Sequence, residues 1–396
     1  MGVSDDSGRS RHAGGGPTPS ALFVTTVPIT LEAFLVPFAG RFRSRGWRVD
    51  ALANGATRDE RIADAFDERF DVAWSRDPLA PSNLLGTTRE VRRIVTENRY
   101  DIVHVHTPVA AFVTRYALRR VHRRPGGPVV IYTAHGFHFY RGQPALQHAA
   151  FRALERVAAP WTDYLVTINA EDHEAALALG GIAPERVRNI PGIGVDTQRF
   201  RPDAASPGET GALRAELGVA PDALMLAMVA EMAPVKRHAF ALEALARADD
   251  PRVIAVFVGE GPLQREIREQ AERLGLAERT RFLGYRRDVP RILAAADAFM
   301  LVSEREGLPR SLLEAMACGT LAIGTDTRGI ADAIGDAGWV VDKHDPADLA
   351  SAIVRAAEDR EAVRRAGEAA RERACAEFSL ERVLAAYEEL YREALS

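Results

Sequence analysis

The sequence contains very little cysteine and very little lysine. Cys318 and Cys375 are the two cysteines among 396 residues. Two thiols make no disulfide framework, so a reducing compartment is favoured and we expect a cytoplasmic protein. Lys236 and Lys343 are the two lysines among 51 basic residues, and the rest are arginine. Composition alone does not explain a lysine in such a chain.

Long apolar runs are also missing. The longest stretches fall well short of the ~18 residues that a membrane-spanning helix needs. Residues 1–18 are polar and rich in glycine, lack the apolar core of a signal peptide, and are expected to form a disordered tail. The formal net charge of −4 gives no global attraction to nucleic acid, so no nucleic-acid partner is expected.

What the chain does have is a regular alternation of apolar, β-rich runs with amphipathic stretches. The clearest runs are ALFVTTV, RVDALAN, DIVHVHT, VVIYTAH and YLVTIN in the first half, and ALMLAMVA, RVIAVFVG, RTRFLGY, AFMLVS, TLAIGTD and GWVVD in the second. Strands of this kind separated by helices indicate parallel sheets covered on both faces. The fold class is therefore α/β, with two tandem Rossmann-like, doubly wound domains and a cleft between them.

The domain boundaries follow from breaks in this alternation. A segment rich in glycine and proline interrupts the rhythm near residue 200, and 396 residues are too many for one ordinary core. The predicted parts are the tail 1–18, an N-terminal domain 19–190, a linker 191–211, a C-terminal domain 212–375 and a terminal helix 376–396.

The stretch EREGLPRSLLEAMACG carries two carboxylates, Glu306 and Glu314, around a strand-to-helix loop. Eight residues are a little over two helical turns, so both acids can face one side. The backbone N–H groups of Gly307, Leu308 and Arg310 are free to bind an anion at the helix start. The alternative is that the first acid is a solvated loop residue and the second an ordinary helix residue.

A basic pair, Lys236 and Arg237, follows the first strand of the second domain, again at the carboxyl edge of the sheet. Two adjacent cations at the start of one helix, facing the start of the helix that follows Glu306, can clamp a diphosphate between them. The alternative is an exposed basic pair on a surface turn. Gly259 and Gly261 stand in the next strand-to-helix turn, where backbone can approach a nucleotide closely, although tight turns use glycine for other reasons as well.

Histidine marks the cleft side of the N-terminal domain. His135 ends a strand before a glycine, where it could bind or polarise a substrate hydroxyl, or serve as a hydrogen-bonded structural residue. His104 and His106 alternate on one strand and share a face. They are interpreted as cleft lining or core, because no third ligand has a helpful spacing for a metal. No Asp-x-Asp pair stands at a strand end to carry a nucleotide-bound divalent ion.

These motifs together resemble the family 4 glycosyltransferases of GT-B fold. The resemblance rests on EGLPRSLLE with its Glu-x7-Glu pair, the basic pair after the first strand of the second domain, and GEGP, FLGYRRDV and TDTRG. It covers residues 20 to about 390. VPITLEAFLVPFAGRFRSRGWRVD, DIVHVHTPVAA and YTAHGFHFYRG look like the branch that extends polyprenyl-diphosphate-linked sugars for capsules and cell-surface glycans.

The resemblance implies a retaining transfer from a nucleotide-diphosphate sugar, most often a UDP-sugar, to a glycan or polyprenyl-linked acceptor, with no metal or other cofactor. The N-terminal domain would bind the acceptor and the C-terminal domain the donor, with the last helix crossing back. The implied catalytic residues are Glu306, His135 and Lys236. The implied donor-binding residues are Lys236, Arg237, Gly259, Gly261, Glu306, Gly307, Leu308 and Glu314. The implied acceptor-binding residues are Thr26, Thr30, His106 and His135.

Within that pattern Glu306 would contact hydroxyls of the donor sugar and Glu314 the ribose hydroxyls. Two departures stand out. Many members have a basic residue five positions before the lysine, where this chain has Glu231, and many have a Gly-Gly pair after the first strand, where this chain has TTVPITLEAF.

Three other functions are alternatives to glycosyl transfer. An NAD-dependent dehydrogenase needs G-x-G-x-x-G in the first turn of a domain, and neither domain has it. A sugar-nucleotide epimerase of the same fold, and a non-catalytic protein that binds sugar nucleotides or lipid-linked glycans, remain open.

The segment TRYALRRVHRR, residues 114–124, is typical of a basic amphipathic helix that could touch an anionic leaflet, or of a solvated helix face. A peripheral position on the inner face of the cell membrane is therefore an additional expectation.

Overall fold

A computed structural model describes residues 18–75, 79–140 and 142–396. Apart from Thr18, the predicted tail 1–18 lies outside the described residues. The described chain folds around two parallel sheets, which we call the N-terminal and C-terminal sheets. Each sheet with the helices packed on it forms a lobe.

Within the described residues the N-terminal sheet has seven strands in the order β3-β2-β1-β4-β5-β6-β7. Its strands are β1 Ser20–Val24, β2 Arg48–Ala53, β3 Arg69–Asp71, β4 Ile102–Val105, β5 Val129–Ala134, β6 Tyr164–Thr167 and β7 Val187–Asn189. Every pair is parallel, and Phe23 stands opposite Ala51 on one side and His104 on the other.

The helices of the N-terminal lobe follow the strands in turn. They are α1 Pro28–Thr30, which continues through a π-helical segment Leu31–Leu35 into α2 Val36–Ser44, then α3 Thr88–Asn98 after a π-helical segment Asn83–Thr87, α4 Pro108–Leu118, α5 Ala145–Ala158 and α6 Ala170–Leu177. Short 3-10 turns lie at Ala56–Arg58, Glu60–Ile62, Ala159–Trp161 and Pro184–Arg186.

The C-terminal sheet has six strands among the described residues, in the order β10-β9-β8-β11-β12-β13. They are β8 Leu224–Val229, β9 Val253–Val258, β10 Thr280–Phe282, β11 Ala298–Leu301, β12 Leu321–Thr325 and β13 Trp339–Val341. The helices are α7 Pro207–Glu216, α8 His238–Ala248, α9 Gln264–Arg273, α10 Val289–Ala295, α11 Arg310–Ala317, α12 Ile330–Ile334, α13 Pro346–Glu358, α14 Arg360–Glu377 and α15 Leu380–Ala394, with 3-10 turns at Pro234–Lys236 and Ala277–Arg279.

Both sheets are buried on two faces. Along β1, Ala21 and Phe23 pack in one apolar cluster while Leu22 and Val24 pack in the cluster on the opposite face. A strand covered on both sides has no polar face, which explains the continuous apolar runs in the sequence. The predicted α/β fold with two doubly wound sheets is confirmed. In each sheet the strand order reverses next to the first strand, at β1/β4 and at β8/β11, where such folds bind ligands.

The two outer strands β3 and β7 were not predicted. Each has three residues, and neither RFD nor VRN contains an apolar run. Their pairing comes from the neighbouring strand, since β2 and β6 offer open backbone edges. The domain boundaries themselves stay a prediction.

The predicted basic helix over residues 114–124 was wrong. Helix α4 ends at Leu118, and residues 119–124 form turns. Arg115 is buried, with 1% of its surface exposed, and its guanidinium pairs with Glu155 at 2.9 Å. This guanidinium therefore satisfies an internal carboxylate and cannot face a membrane.

The last helix, α15, packs on the N-terminal sheet. Val383, Leu384 and Tyr387 belong to the same apolar cluster as Ala21 and Phe23. The chain therefore returns to the lobe in which it started.

Candidate active site

The loop between β11 and α11 carries the predicted anion-binding position. Pro309 stands just before the first residue of α11 and makes no side-chain cap. Helix α11 ends at Ala317 with Cys318 as its C-cap, and Gly319 follows with φ of 75°. Within the described part of the chain, the N–H groups of Gly307, Leu308 and Arg310 donate to no acceptor. The start of α11 therefore presents unpaired donors to a ligand.

Lys236 and Glu306 meet at the switch point of the C-terminal sheet. The Lys236 ammonium donates to Oε1 of Glu306 at 2.5 Å, with 24% and 12% of the two side chains exposed. The backbone N–H of Glu304 donates to Val235 O at 2.8 Å and fastens the two loops together. An ammonium group has three donors, so two remain for phosphate oxygens beside the carboxylate.

Glu314 has a different cation partner. Arg310 donates from Nε to Oε1 of Glu314 at 2.7 Å, one turn earlier on the same helix. Burial of the Glu314 carboxyl raises its pKa, and the Arg310 guanidinium opposes that rise. Arg310 also donates to Ala33 O at 2.7 Å in the N-terminal lobe. The second carboxylate of the Glu-x7-Glu pair is thus held at a contact between the lobes.

Arg237 does not share the Lys236–Glu306 contact. It has a left-handed backbone, with φ of 53°. Its guanidinium donates to Lys343 O at 2.7 Å and lies 4.2 Å from the centre of the Phe240 ring. The clamp of two cations on one diphosphate stays a prediction.

His135 lies where the N-terminal lobe touches the Glu306 loop. A Cβ on Gly307 would collide with the carbonyl oxygen of His135, and one on Gly136 would lie 3.2 Å from Cα of Gly307. Two glycines therefore let the backbones of the lobes approach closely. The imidazole of His135 lies 5.4 Å from the Phe34 ring, and burial lowers its pKa to about 4. It is neutral near pH 7.

A row of buried side chains runs behind His135. His106 Nδ1 lies 3.1 Å from His135 Nε2, and the rings of His104 and His106 are 4.0 Å apart. His104 is bonded at 2.6 Å to the hydroxyl of Tyr391 and at 2.8 Å to that of Thr133. Burial lowers the pKa of His104 to about 3 and that of His106 well below its ordinary value. The row contains neutral imidazoles and reaches helix α15.

The hydrogen-bond pattern assigns the tautomers. In the described structure His106 Nε2 is buried and has no partner. A buried N–H without an acceptor is less tolerated than an unpaired acceptor, so the His106 proton belongs on Nδ1. His106 then donates to His135 Nε2, and His135 carries its proton on Nδ1. His135 therefore presents a donor for an oxygen of a bound molecule.

The remaining predicted residues have structural partners. A Cβ on Gly259 would collide with Ala230 O, and one on Gly261 would lie 2.6 Å from Met232 O. These glycines let two loops of the C-terminal lobe pack together, which accounts for them without a nucleotide. Their donor-binding role stays a prediction.

On the N-terminal side, the Thr26 hydroxyl is bonded to that of Thr107 at 2.6 Å, in the loop after β1. Thr30 ends helix α1, and its N–H donates to Val27 O at 3.2 Å. Both threonines thus lie beyond the carboxyl end of β1. Their predicted acceptor role is not tested by these contacts.

Arg328 was not singled out in the sequence. Its guanidinium pairs with Asp172 at 2.7 Å, with 8% and 1% of the side chains exposed. It also donates to the carbonyls of Glu306 and Phe137, each at 3.2 Å. Asn169 adds a bond from Nδ2 to Gly307 O at 3.1 Å. These side chains join the two lobes beside Glu306. The motif TDTRG, which contains Arg328, is the sequence signal that could have identified this residue.

Comparisons with known proteins identify the family. Residues 31–199 match the model described as Glycosyltransferase Family 4, and residues 209–373 match Glycosyl transferases group 1. EpsD of Bacillus subtilis (strain 168), provisionally named as a glycosyltransferase, is 36% identical over 364 residues, which cover 90% of this chain and 92% of EpsD. This chain belongs to the family 4 glycosyltransferases. The family resemblance read from the motifs is confirmed.

Two further relatives of this glycosyltransferase are informative. The UDP-Gal:alpha-D-GlcNAc-diphosphoundecaprenol alpha-1,3-galactosyltransferase of Escherichia coli is 29% identical over 276 residues, or 68% of this chain and 69% of that protein. The crystal structure of Anabaena HepE with UDP-glucose matches with a TM-score of 0.77 at 22% identity, over 94% of this chain and 99% of HepE. The second match shows the GT-B fold that was predicted.

Among the described residues, no cluster of three or more His, Cys, Asp or Glu side chains is arranged to hold a metal ion. No helix in this part of the chain is both long and apolar enough to cross a bilayer. Independence from metals stays a prediction.

Proposed function

We infer that this glycosyltransferase moves a hexose or N-acetylhexosamine from a UDP-sugar, with retention of anomeric configuration, to a hydroxyl of a polyprenyl-diphosphate-linked glycan at the cytoplasmic face of a membrane. The observation that carries the inference is the Lys236–Glu306 contact beside the unpaired N–H groups of α11. This contact brings a cation, a carboxylate and a helix N-terminus together in the two adjacent loops that follow β8 and β11.

The electrostatics of this arrangement suit departure of a nucleoside diphosphate. As the glycosidic bond breaks, negative charge develops on the leaving phosphate. The two remaining donors of Lys236 and the N–H groups at the start of α11 stabilise that charge, with no metal needed. Glu306 accepts hydrogen bonds from hydroxyls of the donor sugar, and Glu314 accepts from the ribose.

His135 acts in this proposal as a neutral donor. With its proton on Nδ1 it hydrogen-bonds an oxygen of the reacting sugar, and its low pKa keeps it from adding a positive charge next to the carbocation-like sugar. The position of His135 against Gly307 brings the N-terminal lobe into contact with the donor loop. Thr26 and Thr30 face the acceptor side of the same mouth in this proposal, and His106, which is buried behind His135, acts through its bond to His135.

The choice of donor and acceptor is supported by relatives. HepE has been crystallised with UDP-glucose, and the Escherichia coli relative is named for transfer from UDP-Gal to a diphosphoundecaprenol-linked sugar.

The test is UDP release from a panel of UDP-sugars, with and without a polyprenyl-diphosphate-linked sugar. Lys236→Met is expected to lower kcat/KM about 10²–10³-fold, as for loss of one donor to a developing anion. Glu306→Gln is expected to lower it about 10–100-fold through loss of a charged hydrogen bond. Lys343→Met and Glu304→Gln are the matched controls and are expected to retain activity.

Three outcomes contradict the proposal. Equal activity of Glu306→Gln and Glu304→Gln removes the role of the carboxylate. Turnover of the UDP-sugar to an isomeric sugar without acceptor identifies an epimerase, and binding without turnover identifies a non-catalytic protein. NMR of the product's anomeric proton tests retention.

A further inference from the structure

Arg305 is a cation beside the candidate site that has no acidic partner. It stands between Glu304 and Glu306 in the loop from β11 to α11 and is exposed. In the described part of the chain its guanidinium forms no hydrogen bond and no ion pair. The neighbouring carboxylate of Glu306 is already bound by Lys236 at 2.5 Å. The guanidinium of Arg305 is therefore available to a ligand.

The guanidinium of Arg305 faces the N-terminal lobe. Its Cζ lies 6.0 Å from the centre of the Tyr140 ring, in the loop that follows β5. The guanidinium of Arg328 lies 5.7 Å from the centre of the same ring. Arg328 is itself fixed by Asp172 and by two backbone carbonyls. The Tyr140 ring is thus positioned by one fixed cation, and it orients Arg305 through a second cation–π contact.

His138, in the same loop as Tyr140, lies close to the same cation. Burial of part of its ring and then the positive charge of Arg305 lower the pKa of His138, so its imidazole is neutral near pH 7. A neutral imidazole has one N–H to donate and adds no charge of its own. The loop after β5 therefore places an aromatic ring and a hydrogen-bond donor beside the exposed guanidinium.

Acids on the neighbouring elements do not neutralise Arg305. Glu304 is exposed next to it and forms no ion pair with a described residue. Every acid of α5 and α6 has a partner of its own: Glu155 and Asp172 pair with Arg115 and Arg328, and Glu171 and Glu174 are also engaged. The positive charge of Arg305 is therefore left for a bound anion.

We propose that Arg305, with Tyr140 and His138, binds the diphosphate of the lipid-linked acceptor. The inference rests on the proposed function and adds a subsite to it. In an acceptor with one sugar, a single ring separates the accepting hydroxyl from the diphosphate on the anomeric carbon. The Cα atoms of Arg305 and Glu306 are about 3.8 Å apart as chain neighbours, so the cation lies close to the reacting sugars. The planar guanidinium matches two phosphate oxygens at once.

The diphosphate of the donor is the other group of this chemistry near the cleft. In the proposed function it is bound by Lys236 and the unpaired N–H groups of α11. Lys236 approaches Glu306 from the loop after β8, whereas Arg305 contacts Tyr140 of the opposite lobe. The two cations therefore face different surroundings, and Arg305 is assigned to the acceptor.

The experiment is calorimetric titration of geranyl diphosphate into the full chain saturated with UDP. Since UDP occupies the donor position, binding of geranyl diphosphate reports a second diphosphate site. The wild type is expected to bind, and Arg305→Gln to bind about 10–100-fold more weakly through loss of a charged hydrogen-bonded contact. Arg305→Lys keeps the charge without the planar pair of donors and is expected to be intermediate.

Arg382→Gln is the matched control, because Arg382 is exposed on α15 and forms no ion pair with a described residue. It is expected to bind like the wild type. Tyr140→Leu is expected to weaken binding about two- to fivefold by removing the cation–π contact, and Tyr140→Phe, which keeps the ring, is expected to restore it. Circular dichroism melts check that each variant folds.

Transfer assays supply a second readout. With a farnesyl-diphosphate-linked sugar as acceptor, Arg305→Gln is expected to raise the KM for acceptor about 10–100-fold and to change the KM for UDP-sugar far less. A general distortion of the site would raise both KM values together.

Wild-type protein that binds no geranyl diphosphate at saturating UDP overturns the proposal, and so does Arg305→Gln that binds like Arg382→Gln. A loss of UDP affinity in Arg305→Gln as large as the loss of geranyl diphosphate affinity assigns the cation to the donor and also overturns it. The titrations need no turnover, so the absence of sugar transfer contradicts the proposed function alone.

Discussion

The buried ion pair between Arg328 and Asp172 is expected to contribute strongly to stability. Replacing Arg328 by Met keeps most of the side-chain volume but leaves the Asp172 carboxylate buried without a cation. Removal of one partner from such a pair costs about 3–5 kcal/mol. The exposures of 8% and 1% and the 2.7 Å distance place the pair in this class. We expect a loss of about 3–5 kcal/mol in urea unfolding followed by circular dichroism near pH 7.

The pH dependence gives the prediction a second readout. Burial already raises the pKa of Asp172, and loss of Arg328 raises it further, since the guanidinium lowers it. In the variant, Asp172 keeps its proton in the folded state at pH values where the unfolded state has already lost it. The stability of the variant therefore falls as pH rises from the unfolded to the folded pKa of Asp172, so the variant is less impaired at about pH 5 than near pH 7.

The double variant Arg328→Met with Asp172→Asn is the control. The neutral amide removes the unpaired charge, and we expect recovery of about 1–3 kcal/mol relative to the single variant. A loss below about 1 kcal/mol for Arg328→Met, or a double variant no more stable than the single one, contradicts the assignment of a buried, lobe-joining pair.

Three more outcomes follow from the structure. His106→Leu is expected to lower kcat/KM about five- to tenfold, because His135 loses the donor that fixes its tautomer. His106→Asn keeps an N–H at that position and is expected to recover much of the lost kcat/KM. Equal losses in the two variants contradict the tautomer assignment. Gly307→Ala is expected to lower the free energy of unfolding by about 1–3 kcal/mol and to impair sugar transfer, because a Cβ there collides with the His135 carbonyl. Gly40 lies in a helix with open space around it, so Gly40→Ala is expected to stabilise the protein, and thermal melts of the two variants make the comparison. Burial lowers the pKa of His238 to about 4, so the unfolded state alone takes up the proton of this residue between about pH 6.5 and 4, and its contribution to stability falls by about 1.4 kcal/mol per pH unit as pH drops. The buried His104, His106 and His135 act in the same direction, so His238→Phe is expected to reduce the slope of stability against pH in urea titrations by about that amount, and an unchanged slope contradicts this prediction.

The fold was predictable because its strands are buried on both faces. Each of the eleven runs read from the sequence overlaps a strand of the structure, since a continuous apolar segment between helices has few other uses in a chain of this size. Strands β3 and β7 carry no such signal, because edge position and pairing with a neighbour decide them. The helix over residues 114–124 failed because spacing cannot distinguish a buried arginine with a partner from an exposed one.

The candidate site was predictable in its chemistry but not in its contacts. The scarcity of lysine marked Lys236, and the loop motif marked Glu306, and the structure places the two in contact. Sequence spacing did not show that Arg237 turns to Lys343 O or that Arg328 joins the lobes. Those contacts depend on residues 100 or more positions away, which local patterns do not encode.

The position of helix α15 has a consequence for synthesis of the chain. A growing polypeptide emerges from the ribosome with β1 and β2 first, yet Tyr387 and Tyr391 complete the apolar cluster around them. The first lobe to be translated is thus the last to acquire its full interior. Until α15 has been synthesised, Phe38 and Phe42 lack their ring partners Tyr387 and Tyr391, so nascent chains stalled before residue 380 are expected to expose apolar surface to chaperones and proteases.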